Sequence, residues 1–159
     1  MKKSFGVPTI LILMFGLMLM VPVLCYAQGA GKAKVLDIKG EATFMKAGGS
    51  VWDKLVLTTV LEEGDSIKTD AGSEVRLELT GNAKTAELTL REGTEFKFDT
   101  FRFDEATRVD STPLNIGVGS VLVKAEKLVG DSKFEVKTPV SIVGIRGTQF
   151  EVNVPRPKA

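Results

Sequence analysis

The chain contains no histidine among its 159 residues and only one cysteine, Cys25. Without imidazole, the side chain that most often serves as general base near neutral pH is missing, so Ser-His-Asp and Cys-His mechanisms are excluded. An ordinary zinc site of imidazole and thiolate ligands is excluded with them. Neither sign of charge is in large excess, at 21 basic against 20 acidic residues. That balance gives no electrostatic case for nucleic acid, whose phosphates require a basic patch. Aromatic residues with a polar handle are scarce: one tryptophan, Trp52, and one tyrosine, Tyr26. No stretch of ten or more residues beyond the N-terminus shows helical periodicity, which excludes a helical domain.

The N-terminus carries the clearest positive signal. Lys2 and Lys3 precede an apolar run over residues 7–24, and Cys25-Tyr26-Ala27 closes it with a small-x-small pattern. This is the three-part layout of a secretory signal peptide, expected to form a signal helix and to be cleaved after Ala27. The 18-residue run is just long enough for a membrane span, so retention as an anchor is the main rival. Lipidation of Cys25 is a third route to the membrane, against which Leu24 stands at the place where a lipobox has a small residue. Cleavage leaves residues 28–159, which contain no cysteine and so no disulfide. Loss of Lys2 and Lys3 lowers the basic count from 21 to 19, against 20 acidic residues.

Past a Gly/Ala/Lys leader at residues 28–33, the chain reads as short strands over residues 34–154, followed by a tail at 155–159. In residues 74–79, Val75, Leu77 and Leu79 alternate with Glu74, Arg76 and Glu78; in residues 149–154, Phe150, Val152 and Val154 alternate with Gln149, Glu151 and Asn153. Each pattern presents one apolar and one polar face. Further strands are expected at 34–38, 41–45, 66–68, 86–91, 95–98, 101–103, 114–118, 120–124, 134–137 and 140–145. The fold class is therefore all-β, a compact β-sandwich or β-roll of many short strands. Expected core residues are Val75, Leu77, Leu79, Leu88, Leu90, Val121, Val123, Phe134, Val136, Ile142, Phe150 and Val152. Phe96 and Phe98 share one parity and Phe101 and Phe103 the other, so one extra residue is needed near Asp99-Thr100, as a bulge or corner. Gly40, Gly64, Gly93, Gly119 and Gly147 recur every 24 to 29 residues, a hint of a coiled architecture.

The order of motifs resembles the FecR-type domain. The residues that carry the likeness are Val35-x-x-Ile38-x-Gly40, Trp52, Leu61-Glu62-Glu63-Gly64-Asp65-x-Ile67-x-Thr69, Ser73-Glu74-Val75-Arg76-Leu77 and Gly119-Ser120-Val121. Phe134-x-Val136-x-Thr138-Pro139 and Gly144-Ile145-Arg146-Gly147-Thr148-x-Phe150-x-Val152 complete it. The resemblance implies a periplasmic domain that senses a partner in the envelope. In the family's best-known plan, the signal passes through a membrane helix to a cytoplasmic segment that controls a sigma factor. Only six residues precede the apolar run here, so the sensing or scaffolding half alone is carried over.

The function expected is that of an exported, non-enzymatic binding or interaction module, periplasmic or secreted, without a cofactor. The alternative is a signalling component that works with a separate membrane partner. A carboxylate-dependent hydrolase is the third class, although every acidic residue lies in an alternating strand or a turn, where solvated surface is the plain reading. No metal site is expected beyond an oxygen-liganded calcium option among Asp99, Asp104, Glu105 and Asp110. The partner is expected to be an envelope protein or polymer; membrane contact would run only through an uncleaved N-terminus or a lipidated Cys25. Candidate structural or partner contacts are Trp52, Asp65, Arg146 and Thr148. Trp52 is expected as a core anchor with its indole N–H paired, or else as a partner hot spot. Gly64-Asp65 suits a tight turn, and Arg146 is expected to fold back as a clasp onto Asp65.

Overall fold

Alternation with period two dominates the chain from Lys32 onward, and the backbone follows it into strands. A computed structural model describes residues 28–81, 84–99, 102–104, 109–126, 133–145 and 149–156, and within them every regular element is a strand. In chain order these are β1 (Gln28–Ala30), β2 (Lys32–Lys39), β3 (Ala42–Met45), β4 (Asp53–Lys54), β5 (Val60–Leu61), β6 (Ser66–Thr69) and β7 (Glu74–Thr80). They continue as β8 (Lys84–Leu90), β9 (Glu95–Phe98), β10 (Arg102–Asp104), β11 (Val109–Ala125), β12 (Lys133–Lys137), β13 (Ile142–Ile145) and β14 (Gln149–Val154). The fold is all-β, as the alternation predicts. The expected signal helix lies outside the described residues. Strand structure starts earlier than expected, since β1 and the first residues of β2 occupy the expected leader.

All fourteen strands belong to one sheet that folds on itself, and β11 is the strand on which it turns. Residues 114–118 of β11 pair with β9, and residues 121–125 pair with β8. One layer runs β4-β3-β6-β9-β11, continuing through β12 to β13; the other runs β14-β11-β8-β7-β2-β5. The sequence suggests two strands at 114–118 and 120–124, whereas a single 17-residue strand passes through both. Its inward positions switch from Thr112, Leu114 and Ile116 to Val121 and Val123, so the parity changes midway. A register shift between Ile116 and Val118 and a positive φ of 104° at Gly119 make that switch.

The recurring glycines mark the places where the chain passes between layers. Gly40 joins β2 to β3, Gly64 joins β5 to β6, and Gly93 joins β8 to β9, each with positive φ. Gly147 lies outside the described residues, although β13 and β14 on either side of it belong to different layers. These corners stack and are stitched by hydroxyls. Glu41 N donates to Ser73 Oγ at 2.9 Å, Thr94 N to Thr69 Oγ1 at 2.9 Å, and Ser120 N to Thr94 Oγ1 at 3.1 Å. Thr69, Ser73 and Thr94 are buried, and a buried hydroxyl persists because it satisfies backbone groups that water cannot reach.

Between the layers lies one core, in which Phe96, Phe98, Ile67, Leu114 and Ile116 from one side meet Leu77, Leu79, Leu88, Leu90, Val121 and Val123 from the other. Burying a side chain of this size contributes about 1.5 to 3 kcal/mol relative to exposure. Nine of the twelve expected core residues are fully buried, and Phe150 and Val152 pack partly buried against them. Ile142 is the correction, at 67% exposed. It stands opposite Lys137 on β13, a strand paired among the described residues only with β12, and Ile145 faces inward opposite Phe134 instead. The extra residue expected near Asp99 is visible in the pairing: from Phe98 to Arg102 the chain takes four steps while its partner goes from Leu114 to Ser111 in three. Phe101 itself lies outside the described residues.

Candidate functional site: the Trp52 cleft

Residues pointing away from the core on β6, β9 and β11 build a patterned outer face. Direct cross-strand pairing places Lys97 between Ser66 on β6 and Asn115 on β11. One row further along, Lys68 pairs with Glu95, and their side chains meet at 3.1 Å. Gly117, at the register shift of β11, contributes no side chain, so the floor stays open there. The segment that leads into β4 brings Trp52 over this face, with the Lys68 ammonium 4.6 Å from the ring centroid. Together these residues line a cleft of about 280 Å³.

Trp52 is therefore not the core anchor expected of it. It is half-buried on the outer face, outside the core cluster, and its indole N–H donates to no described residue. The core is filled by phenylalanine and aliphatic residues, which have no polar atom to satisfy, and the indole, which has one, lies outside it. Lys68 is held twice, by Glu95 and by the ring, so its charge is largely spent inside the site. Lys97 is exposed, and no ion partner for it exists among the described residues. The cleft thus offers one aromatic surface, a row of hydrogen-bonding groups and one surplus positive charge.

Asp65 serves a different purpose. It is 2% exposed, and its carboxylate accepts from Ala47 N at 2.9 Å, from Glu62 N at 3.0 Å and from Lys46 Nζ at 2.8 Å. Gly64, with φ of 89°, closes the same turn, as the Gly-Asp pair predicts. Arg146 and Thr148, and with them the expected Arg146–Asp65 clasp, lie outside the described residues. So does Glu105 of the calcium option. Among the described residues no three carboxylates gather as a cation site. Ser66, Lys68, Glu95, Lys97 and Asn115 were not singled out from sequence, because polar positions of alternating strands read as solvated surface. Only the register reveals that they share one cleft.

A family model described as FecR protein matches residues 65–159. The chain belongs to the FecR family. The match spans β6 to the C-terminus and contains every residue of the cleft except Trp52, which the preceding strands deliver. Residues 28–64 are nevertheless continuous with the FecR-matched part, since β2 pairs with β7 and β3 with β6 in the same sheet. No curated protein and no solved structure matches the chain.

Proposed function

We propose that this FecR-family chain is exported and acts in the cell envelope as a non-enzymatic interaction module, engaging its partner through the Trp52 cleft. The observation that carries the reading is the sole tryptophan lying half-buried above a row of polar side chains, its N–H without a partner among the described residues. A large amphipathic ring in that position supplies contact area at low entropic cost, which is the chemistry of a recognition hot spot. Export rests on the signal-peptide pattern of residues 1–27 and agrees with family membership, which points toward envelope signalling. Intact mass of the chain recovered from a Gram-negative host is expected to begin at Gln28. Envelope material is expected to sediment with the wild-type chain and to be lost from Trp52→Ala. Retention by Trp52→Ala at wild-type level overturns the assignment of the cleft.

The FecR match also favours a second reading, a signalling component coupled to a separate membrane protein. A full-length, membrane-bound chain in the same experiment would support this alternative over a free module.

A further inference from the structure

We infer that the Trp52 cleft binds an acidic saccharide, an oligosaccharide that carries carboxylates on its rings. This inference rests on the proposed role of that cleft and adds the chemical class of its ligand. Four features lead to it. The half-buried indole offers the ring surface that Lys68 leaves uncovered to the C–H side of a sugar ring, and its N–H has no partner among the described residues. Ser66, Lys97 and Asn115 stand in register across three strands, presenting a hydroxyl, an ammonium and an amide in a row, which suits hydroxyl-rich ligands. Lys68 and Glu95 neutralise each other, so Lys97 is left to set the sign of the ligand as negative. At about 280 Å³ and open to solvent, the cleft has room for a sugar ring with its substituents while a polymer continues past it.

Other ligand classes fit less well. A peptide that binds by adding a strand needs an unpaired sheet edge, and each strand under the cleft is paired on both sides: β6 with β3 and β9, β9 with β6 and β11, β11 with β9 and β12. A nucleic acid needs several surplus cations to displace its counterions, and the cleft has one. A neutral saccharide would use the ring and hydrogen bonds from the row, Lys97 included, but would leave the charge of Lys97 without a counterpart. The carboxylate of an acidic sugar uses all of them.

The probe is an oligogalacturonate, titrated into the protein purified after export of the full chain, with a cello-oligosaccharide of equal length and poly-glutamate as comparisons. Because Trp52 is the only tryptophan, its emission reports the cleft directly. Expected are a saturable emission shift with oligogalacturonate and about tenfold weaker binding of the neutral sugar, with affinity falling as salt rises. Lys97→Gln is expected to cost about tenfold for the acidic sugar and to leave the neutral one unchanged. By calorimetry, Trp52→Phe is expected to weaken both. Lys97 is exposed, so unchanged melting of Lys97→Gln shows that the loss is local. Equal binding of the neutral sugar, equal binding of poly-glutamate, an unaffected Lys97→Gln, or no binding of oligogalacturonate overturns the inference. If any of these occurs while envelope material is still lost from Trp52→Ala, the ligand class is wrong and the cleft assignment stands; if Trp52→Ala also retains that material, both fall.

Discussion

Asp65 shows how one buried carboxylate can organise two segments of chain. Its two oxygens accept from the backbone of Ala47 and of Glu62, so the loop after β3 and the turn before β6 are tied to the same side chain. Lys46 supplies the compensating charge from a side chain that is 54% exposed. Most of the value therefore lies in the N–H groups, which would be left in a dry site without an acceptor. Asp65→Ala is expected to destabilise the fold by about 2 to 4 kcal/mol, and Asp65→Asn by less, since an amide oxygen still accepts one of the two bonds. Lys46→Ala should cost under about 1 kcal/mol, because a half-exposed ion pair is screened by water. Urea denaturation of the three variants tests the order. A Lys46 variant as damaging as Asp65→Ala would show that the ion pair, rather than the backbone bonds, holds the turn.

Elements in this fold are defined by where the chain changes layer, and that decides what alternation can and cannot reveal. Strands β7, β8 and β12 are central, and their apolar parity was legible in the sequence: Val75, Leu77, Leu79, Leu88, Leu90, Phe134 and Val136 are all buried. Strand β13 was misread, because Ile142, Val143 and Ile145 are all apolar and only the pairing tells which face is covered. Ile142→Lys is expected to change stability by no more than about 0.5 kcal/mol, whereas Val136→Ala on the neighbouring strand should cost about 2 kcal/mol. Equal losses in chemical unfolding would place Ile142 in the core after all. The two-strand reading of β11 failed for a related reason. Gly119 looks like a turn between two strands, yet it carries one strand around the corner. A Cβ at Gly119 would fall on Thr94, on top of the strain of a φ of 104°, so Gly119→Ala should cost about 3 kcal/mol. At Gly117 the nearest atom, Glu95 O, is 3.7 Å from an added Cβ, and Gly117→Ala should stay within about 1 kcal/mol of wild type. Comparable losses at both positions would mean that the crossing tolerates or resists side chains uniformly. The cleft was the least legible part, since its residues come from β6, β9 and β11 and meet only once register is set. Trp52 alone was visible as a candidate, as a core anchor or else a partner hot spot, and the structure places it half-buried outside the core.

At the scale of the whole molecule, a roll of this kind depends on its last strand being held to the stack of corners. β14 closes one layer against β11, and Glu151 on it reaches the corner formed by Arg91 and Ser120. Its Oε1 accepts from Ser120 Oγ at 2.7 Å and from Arg91 Nε at 2.9 Å. The Ser120 hydroxyl first, and the Arg91 guanidinium second, hold the Glu151 carboxyl below its ordinary range. Because the folded value is depressed, the ionised form is the one the fold favours. Its stabilising contribution is fully present above the unfolded value of about 4.3 and is lost as pH falls through the lower folded value. Glu151→Gln keeps an oxygen for both donors and removes only the titrating charge. The variant is therefore expected to be less stable than wild type at neutral pH, with the difference closing as pH falls into and below the ordinary carboxylate range. Added salt should narrow the difference at neutral pH, since the group is exposed. Paired urea unfolding curves at neutral and acid pH measure it. A difference that persists unchanged in acid would show that the charge of Glu151 does not fasten β14, leaving the Phe150 and Val152 contacts with the core to hold the final strand.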